Sequence, residues 1–395
     1  MTEAPILIIG GGLAGLSLGQ GLKQIGIPFK IFERDQAASF RAQGYRIRID
    51  EKGGAGLRRL LPTNLFEKFE ATSAEVKTGV NRLDAMTGES ATTGFSRMPP
   101  KTGPAWNADR RVLRDILLEG LEPYVEFGKK LDKYELDQTD VVAWFADGSS
   151  AKGSMIVGAD GVSSQIRRQM LPDHRLLDTE GRAVFGRTLI EADLLERIPA
   201  AVDNGICLIG NEQQPHMKLF CDVMRFDHEG GAHVPPDYIY WVLLFHKASV
   251  DTSDSELFSL TNSQSAKYAE SLTSGWHESI RAIVQRQLPE AASTLHFSMT
   301  KAPIATWKTD RRVTVIADAA HPMPPVGGVG ANIAVQDAAD LFDVLQTARE
   351  SERLVEFEQL LRDRSNKALM QSAGGASHFF GMKPVHELKP TASCR

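Results

Sequence analysis

The residues best suited to chemistry begin at Gly10. Gly10-x-Gly12-x-x-Gly15 follows the apolar run Ile6-Leu7-Ile8-Ile9 and opens an apolar helical pattern that continues from Leu13 to about Ile25. A second short strand, Phe29-Lys30-Ile31-Phe32, ends at Glu33, about 20 residues on from the glycines. Strand, glycine turn, helix, strand and acid in this order predict a dinucleotide site. Gly10 permits the tight turn, Gly12 lets a pyrophosphate approach the helix N-terminus, and Gly15 lets the helix lie close to the strand. Glu33 is placed to accept hydrogen bonds from a ribose and to repel an extra phosphate on it, which leaves FAD or NAD for this first site. Ala14 and Arg34, which flank these positions, join the cofactor-binding candidates.

Two later stretches repeat the theme. Met155-Ile156-Val157-Gly158 reads as a buried strand that runs into Asp160-Gly161. An acid there suits a ligand-facing turn, and it equally suits a helix cap. Arg312–Ala317 reads as another buried strand, followed by Asp318 and a loop holding Pro325, Gly328, Gly330, Ala331 and Asn332, then a helix to about Arg349. The small residues and backbone N–H groups at that helix start suit a phosphate or a flat ring edge. His321 in the same loop reads as a base or as a structural histidine.

Basic residues cluster twice. Arg110 and Arg114 are four apart in a helix for which Asn107 or Asp109 is the expected cap. Arg41, Arg46 and Arg48 lie close together, and Arg46 and Arg48 share a side if their segment is a strand. A cofactor phosphate, an acidic substrate or plain solvent each explains them. Arg46, His216 and Tyr240 are the pocket candidates, with Arg48 and His246 beside them; no catalytic base is assigned.

The chain of 395 residues, 42% hydrophobic and 24% charged with net charge −5, has an ordinary globular composition and scattered Lys and Arg, so nucleic acid is not an expected partner. Cys207, Cys221 and Cys394 form no disulfide framework or zinc site. No metal signature and no Gly-x-Ser-x-Gly elbow is present, so the chemistry must come mainly from a bound cofactor. With no basic leader and no long apolar run, a cytoplasmic protein off the membrane is expected. Between about Gly181 and Ser298 the runs Gly205–Ile209, Met217–Phe220 and Tyr238–Phe245 read as antiparallel strands, and residues 264 to 288 read as helical. The end from Gly381 reads as a loose tail.

Taken together, Gly10-x-Gly12-x-x-Gly15 with Glu33, Asp160-Gly161, and Asp318 with Gly328-x-Gly330-x-Asn332 resemble the single-component FAD-dependent aromatic hydroxylases of the para-hydroxybenzoate hydroxylase type, over about residues 5 to 365. The resemblance implies that Gly10, Gly12, Gly15 and Glu33 bind the ADP half of FAD and that Arg110 contacts the cofactor. It implies that Asp160 and Gly161 serve both FAD and NAD(P)H, that Asp318 holds the ribityl or pyrophosphate region, and that Pro325, Gly328, Gly330 and Asn332 line the isoalloxazine ring. Ala317 stands where a glycine is usual. The implied fold is α/β: a discontinuous Rossmann-like FAD-binding domain (1–75, 101–178 and 300–370), a smaller, mainly antiparallel substrate domain (76–100 and 179–299) and a C-terminal tail (371–395). The implied activity is monooxygenation, with NADPH or NADH as reductant. Molecular oxygen adds at flavin C4a, and the hydroperoxide delivers one oxygen atom to an aromatic or polyketide-like small molecule. Epoxidation, Baeyer–Villiger insertion or oxidative ring opening are alternatives from the same cofactor; a flavin-binding interaction protein is the non-enzyme alternative. Oligomeric state is left open.

Overall fold

In the computed structural model, residues 4–37, 45–77, 79–91, 103–347 and 351–391 are described; Arg41 lies outside them. The fold is α/β. Five parallel strands lie in the spatial order Val313–Val315, Met155–Gly158, Ile6–Ile9, Phe29–Glu33 and Val125–Phe127. Ile6–Ile9 and Met155–Gly158 are buried at every position, as expected of central strands covered on both faces. Helices Leu13–Gln24 and Gly330–Gln346 pack on this sheet and on each other. Their apolar residues join one core with Leu57, Leu60 and Phe342.

A second sheet has six strands in the order Ser293–Met299, Leu177–Leu189, Tyr238–His246, Met217–Met224, Ile206–Gly210 and Val80–Asp84, antiparallel except for the last pair. Period-2 alternation divides the strand Tyr238–His246 between two cores. Ile239, Trp241, Leu243 and Phe245 face the helices Asn262–Leu272 and Glu278–Gln285, whereas Tyr238, Tyr240, Val242 and Leu244 share a core with Tyr45, Val326 and Phe380 from other segments. The second face is the one turned toward the cofactor-type sheet. A two-stranded ribbon, Arg46–Asp50 with Ala105–Asp109, lies between the two units.

Of the two expected caps, Asp109 is the one used: Trp106 and Asn107 belong to the ribbon, and the helix begins at Arg110, where Asp109 accepts the Arg111 and Val112 N–H groups at 2.9 and 3.2 Å. Two segments differ from expectation. The helical stretch 264 to 288 is two helices, and Trp276 sits in the break between them. The C-terminal region is packed. The helix Ser351–Phe380 runs through the expected start of the tail, Phe380, Met382 and Leu388 are buried, and Thr391 N–H reaches the Leu176 carbonyl at 2.8 Å. The apolar residues dispersed among the polar ones after Gly381 account for this.

Candidate active site

Register brings the three motifs together. Ile9 is paired with Gly158 and Phe32, and Gly158 with Val315, so four of the five parallel strands reach one level together. The ladder continues one step beyond: Gly10 N–H to Phe32 O, Ala159 N–H to Ile9 O and Ile316 N–H to Gly158 O, at 2.7 to 2.9 Å. Gly10, Asp160, Glu33 and Asp318 therefore emerge from one carboxyl edge, where open α/β sheets bind ligands.

At the glycine turn, Gly10 has φ +114°, and a Cβ there would lie 2.2 Å from the Ala159 carbonyl oxygen. A Cβ on Gly15 would lie 2.0 Å from the Gly10 oxygen. Gly12 is different: nothing lies within 4 Å of its Cβ position, and as N-cap of Leu13–Gln24 it offers no side chain to that helix end. The N–H groups and the helix dipole here are aimed at open space, which could take a pyrophosphate. Ala14 is buried behind it.

Glu33 is tied to the glycine turn. Its Oε2 accepts the Gly11 N–H at 2.7 Å and its Oε1 the Asp35 N–H at 2.9 Å, so the carboxylate also fastens the glycine turn. Arg34 beside it is exposed. Arg114 Nε donates to the Gly11 carbonyl at 3.2 Å, and Arg110 lies four residues earlier on the same helix, at its first position. Arg110 is open to solvent, yet desolvation lowers its pKa, with Asp318 and Tyr240 pulling it back up.

Asp160 accepts the Gln165 N–H at 2.7 Å through Oδ2, as a cap does, while Oδ1 is buried with no hydrogen-bond partner. Burial raises its pKa against these hydrogen bonds. Gly161 follows with φ +74°. The link between this turn and Asp318 is Arg167, whose buried guanidinium donates to the carbonyls of Val162, Asp318 and Ala319 at 2.5, 3.2 and 2.7 Å. The Asp318 carboxyl is pushed up by burial and held back by His321, Arg110 and Arg167.

The 317–332 loop rests on a buried network. Asp337 Oδ2 accepts the Ala317 N–H at 2.9 Å and lies 2.5 Å from His321 Nε2; its Oδ1 accepts from Arg364 at 2.7 Å. His321 and Asp337 have no exposed surface, so His321 is a structural histidine. Ala317 has φ +56°, a left-handed conformation that a Cβ disfavours by about 1–2 kcal/mol. Because glycine also loses more chain entropy on folding, Ala317→Gly is expected to stabilise the protein by about 0.5–1 kcal/mol. Calorimetry would read this as a Tm rise of about 1 °C.

Beyond the loop, the helix Gly330–Gln346 starts without a side-chain cap, leaving the N–H groups of Gly330, Ala331 and Asn332 pointing out of its end. Pro325, Gly327 and Gly328 beside it are exposed. The Asn332 side chain pins the ribbon to this helix start. Its Oδ1 accepts the Asp50 N–H at 2.8 Å, and its Nδ2 donates to Arg48 O and Gly328 O at 2.9 and 3.0 Å.

Of the pocket candidates, Arg46 and Tyr240 are brought together. Arg46 Nη2 lies 2.6 Å from Asp222 Oδ2, and Asp222 is register partner to Tyr240. His216 is not. It precedes the other end of its strand, where its ring is 6.3 Å from that of His246, which is paired with Glu180. Six residues of strand separate Tyr240 from His246, about 20 Å. Asp222 and Arg167 had no signal in the linear sequence.

A flavin dinucleotide fits these residues. The open space over Gly12 and a second uncapped helix start at Gly330–Asn332 could each meet part of an elongated ligand, and Asp318 and Glu33 could accept from its hydroxyls. Comparison with known proteins agrees: residues 3–372 match the FAD binding domain family, and the chain belongs to it. It is similar to the dual O-methyltransferase/FAD-dependent monooxygenase elcB of Phaeosphaeria nodorum, 32% identical over 97% of this chain and 47% of that protein. The dual O-methyltransferase/FAD-dependent monooxygenase CTB3 of Cercospora beticola is 34% identical over 96% of this chain and 46% of that protein. The chain thus spans about half the length of these curated relatives. Among solved structures, a candidate FAD-containing monooxygenase from Photorhabdus luminescens is 26% identical with TM-score 0.78, covering 97% of this chain and 100% of that one. Klebsiella pneumoniae HpxO, complexed with FAD and uric acid, shares the fold at 19% identity and TM-score 0.75, covering 96% of this chain and 90% of that one.

Proposed function

We propose that this chain is an FAD-dependent monooxygenase that uses NADPH or NADH and molecular oxygen to hydroxylate an aromatic or polyketide-like small molecule. The observation that carries this reading is the common sheet edge. The Gly12 turn and the Asp318 loop, more than 300 residues apart in sequence, leave the carboxyl ends of strands in one parallel sheet, and each leads to a helix start without a side-chain cap. Relatives named FAD-dependent monooxygenase, such as cctM of Talaromyces islandicus, 25% identical over 93% of this chain and 90% of that protein, support it.

Bound FAD would supply the redox chemistry and oxygen activation. Gly10, Gly12, Gly15, Ala14, Glu33 and Arg34 would hold and border its ADP half. Arg110, Asp160, Gly161 and Asp318 would hold the middle, and Pro325, Gly328, Gly330, Ala331 and Asn332 would meet the ring. The N–H groups of Gly330, Ala331 and Asn332 would stabilise negative charge at the ring edge, each dipole contribution being worth about 0.3–1 kcal/mol. Tyr240, whose hydroxyl burial holds well above the ordinary phenol pKa, stays protonated and would donate a hydrogen bond to a substrate oxygen. The closed apolar face around it would exclude water.

The test is direct. Protein loaded with FAD should be yellow, should oxidise NAD(P)H faster when a suitable phenol is added, and should place one atom of labelled oxygen gas in the product. Failure to take up FAD, or turnover without label in the product, would overturn the reading; product mass distinguishes hydroxylation from epoxidation, ring opening or Baeyer–Villiger insertion.

A further inference from the structure

Four aromatic rings neighbour one another on the face of the second sheet that shares a core with Tyr45 and Val326. Phe220 and Tyr240 have centroids 6.1 Å apart, Tyr240 and Phe185 6.3 Å, and Phe185 and Phe297 6.4 Å. At the Phe220 end the wall meets charge. The Arg46 guanidinium lies 5.7 Å from the Phe220 ring centroid and is paired with Asp222; both side chains are less than a tenth exposed. Arg46 Nη2 also reaches Asn107 Oδ1 at 3.2 Å.

Arg48, two residues along the same ribbon strand and on the same side, brings a second cation to this spot. Its side chain makes no hydrogen bond or ion pair among the described residues, although it is half-buried and its Nε is fully covered. Arg46 Nε is likewise buried without an acceptor, and Asp222 Oδ2, close enough to Arg46 for an ion pair, is misaligned for a hydrogen bond with it. Two guanidinium donors therefore point at protein that offers them nothing, in a place where an unmade hydrogen bond from a charged group is costly. Among the described residues the Asp222 carboxylate is in ion-pair reach of Arg46 and not of Arg48. Burial together with Arg46 holds the Arg48 guanidinium below its usual pKa, and Asp222 and Asp50 offset this only in part.

The place matters as much as the charge. The Arg48 carbonyl and the Asp50 N–H are the groups held by Asn332 at the start of helix Gly330–Gln346. Arg48 thus sits at the seam between the start of that helix and the aromatic wall.

Resting on the monooxygenase reading above, we propose that Arg48, with Arg46 held in place by Asp222, is the specificity determinant for an anionic oxygen — a carboxylate or acidic phenolate — on a planar polycyclic substrate stacked along Phe220, Tyr240 and Phe185. A guanidinium fork suits a carboxylate or a pair of neighbouring oxygens, and Arg48, only half-buried, keeps part of its side chain within reach of one. The wall of rings spans more than one aromatic ring, which favours fused-ring ligands over single rings.

The experiment is a binding titration on FAD-loaded protein at neutral pH, read by flavin difference absorbance and by calorimetry. The probes are 3-hydroxy-2-naphthoate and its neutral counterpart 2-naphthol. The wild type should prefer the naphthoate by about tenfold or more, the scale of a charge-assisted hydrogen bond. Arg48→Gln should bring the two probes to within about threefold of each other, with FAD content unchanged, and Arg48→Lys should restore part of the preference. Asp222→Asn should move the other way and strengthen naphthoate binding, because it frees Arg46. Equal binding of the two probes by the wild type, no binding of either, or an Arg48→Gln protein that keeps the preference would each overturn the proposal. Turnover is not needed for this readout. A protein that binds the naphthoate as described but incorporates no oxygen loses the monooxygenase reading and keeps the anion site; one that oxygenates both probes with equal affinity loses the anion site alone.

Discussion

Gly12→Ala should lose FAD and keep its fold. The wild-type Cβ position is empty to 4 Å, and the backbone there is extended at φ −87° and ψ −171°, so alanine fits without strain. The cost to the protein alone is the weaker N-cap preference of alanine relative to glycine, about 1 kcal/mol or less. In a chain of this length that is a Tm change of about 1 °C. The added methyl group instead occupies the space into which the first helix N-terminus points. A pyrophosphate held off from those N–H groups forfeits several charge-assisted hydrogen bonds, so FAD affinity should fall by about a hundredfold or more. Thermal shift separates the two effects. Wild-type protein with FAD at about 100 times its Kd gains about 2.7 kcal/mol, and Gly12→Ala at the same concentration should gain little. Gly10→Ala is the contrasting control. Its methyl group would meet the Ala159 carbonyl at 2.2 Å with φ at +114°, so it should damage the fold itself. If Gly12→Ala binds FAD as the wild type does, the cradle has been placed wrongly.

The contrast between these two glycines also marks what the sequence makes legible. A strand, glycine turn, helix and terminal acid are a local pattern, because close approach and tight turning leave few residue types possible. The α/β class, the second sheet and the Asp109 cap followed from similarly local signals. The network that holds the motifs together did not. Arg167 reaches carbonyl oxygens of Asp318 and Ala319, about 150 positions away, and main-chain carbonyls carry no residue signature. Asn332 reads as a ring contact, yet its amide is engaged in joining Arg48, Asp50 and Gly328. Arg46 and His216 read as equal pocket candidates. Only strand register shows that Asp222 and Tyr240 lie beside the first, whereas the second belongs with His246. The packing of the C-terminal region escaped for the same reason: Phe380, Met382 and Leu388 are isolated apolar residues whose partners come from distant strands.

The largest loss of stability is expected at Asp337, the centre of that network. Its two oxygens take the Ala317 N–H, His321 and Arg364 in a place without solvent. Asp337→Asn keeps the shape but removes the charge that matches two cations. Breaking a buried pair from one side costs about 3–5 kcal/mol, because the remaining charge is left uncompensated. Arg364 retains Asp340 at 2.7 Å, which puts the expectation near the lower end. At about 1–2 °C per kcal/mol for this chain length, Tm should fall by roughly 4–8 °C. The effect has a pH signature. In the folded protein the Asp337 pKa is lowered: burial raises it, but His321 and Arg364 outweigh burial. Its contribution is therefore present above the unfolded value of about 3.9 and lost as pH falls through the folded one. The His321 pKa is raised by Asp337 against burial, so its contribution is complete below about 6.5 and lost as pH rises through its folded value. The two windows overlap between about pH 4 and 6.5, and there the wild type should exceed Asp337→Asn in stability by the widest margin. Because the same carboxylate anchors Ala317 beside Asp318, the variant should also bind FAD less tightly at temperatures well below its own Tm. Denaturant titrations across pH, with FAD binding measured on the folded fraction, would check both. A stability difference that does not vary with pH would show that His321 and Asp337 do not titrate as a pair, and unchanged FAD affinity would detach the network from the cofactor loop.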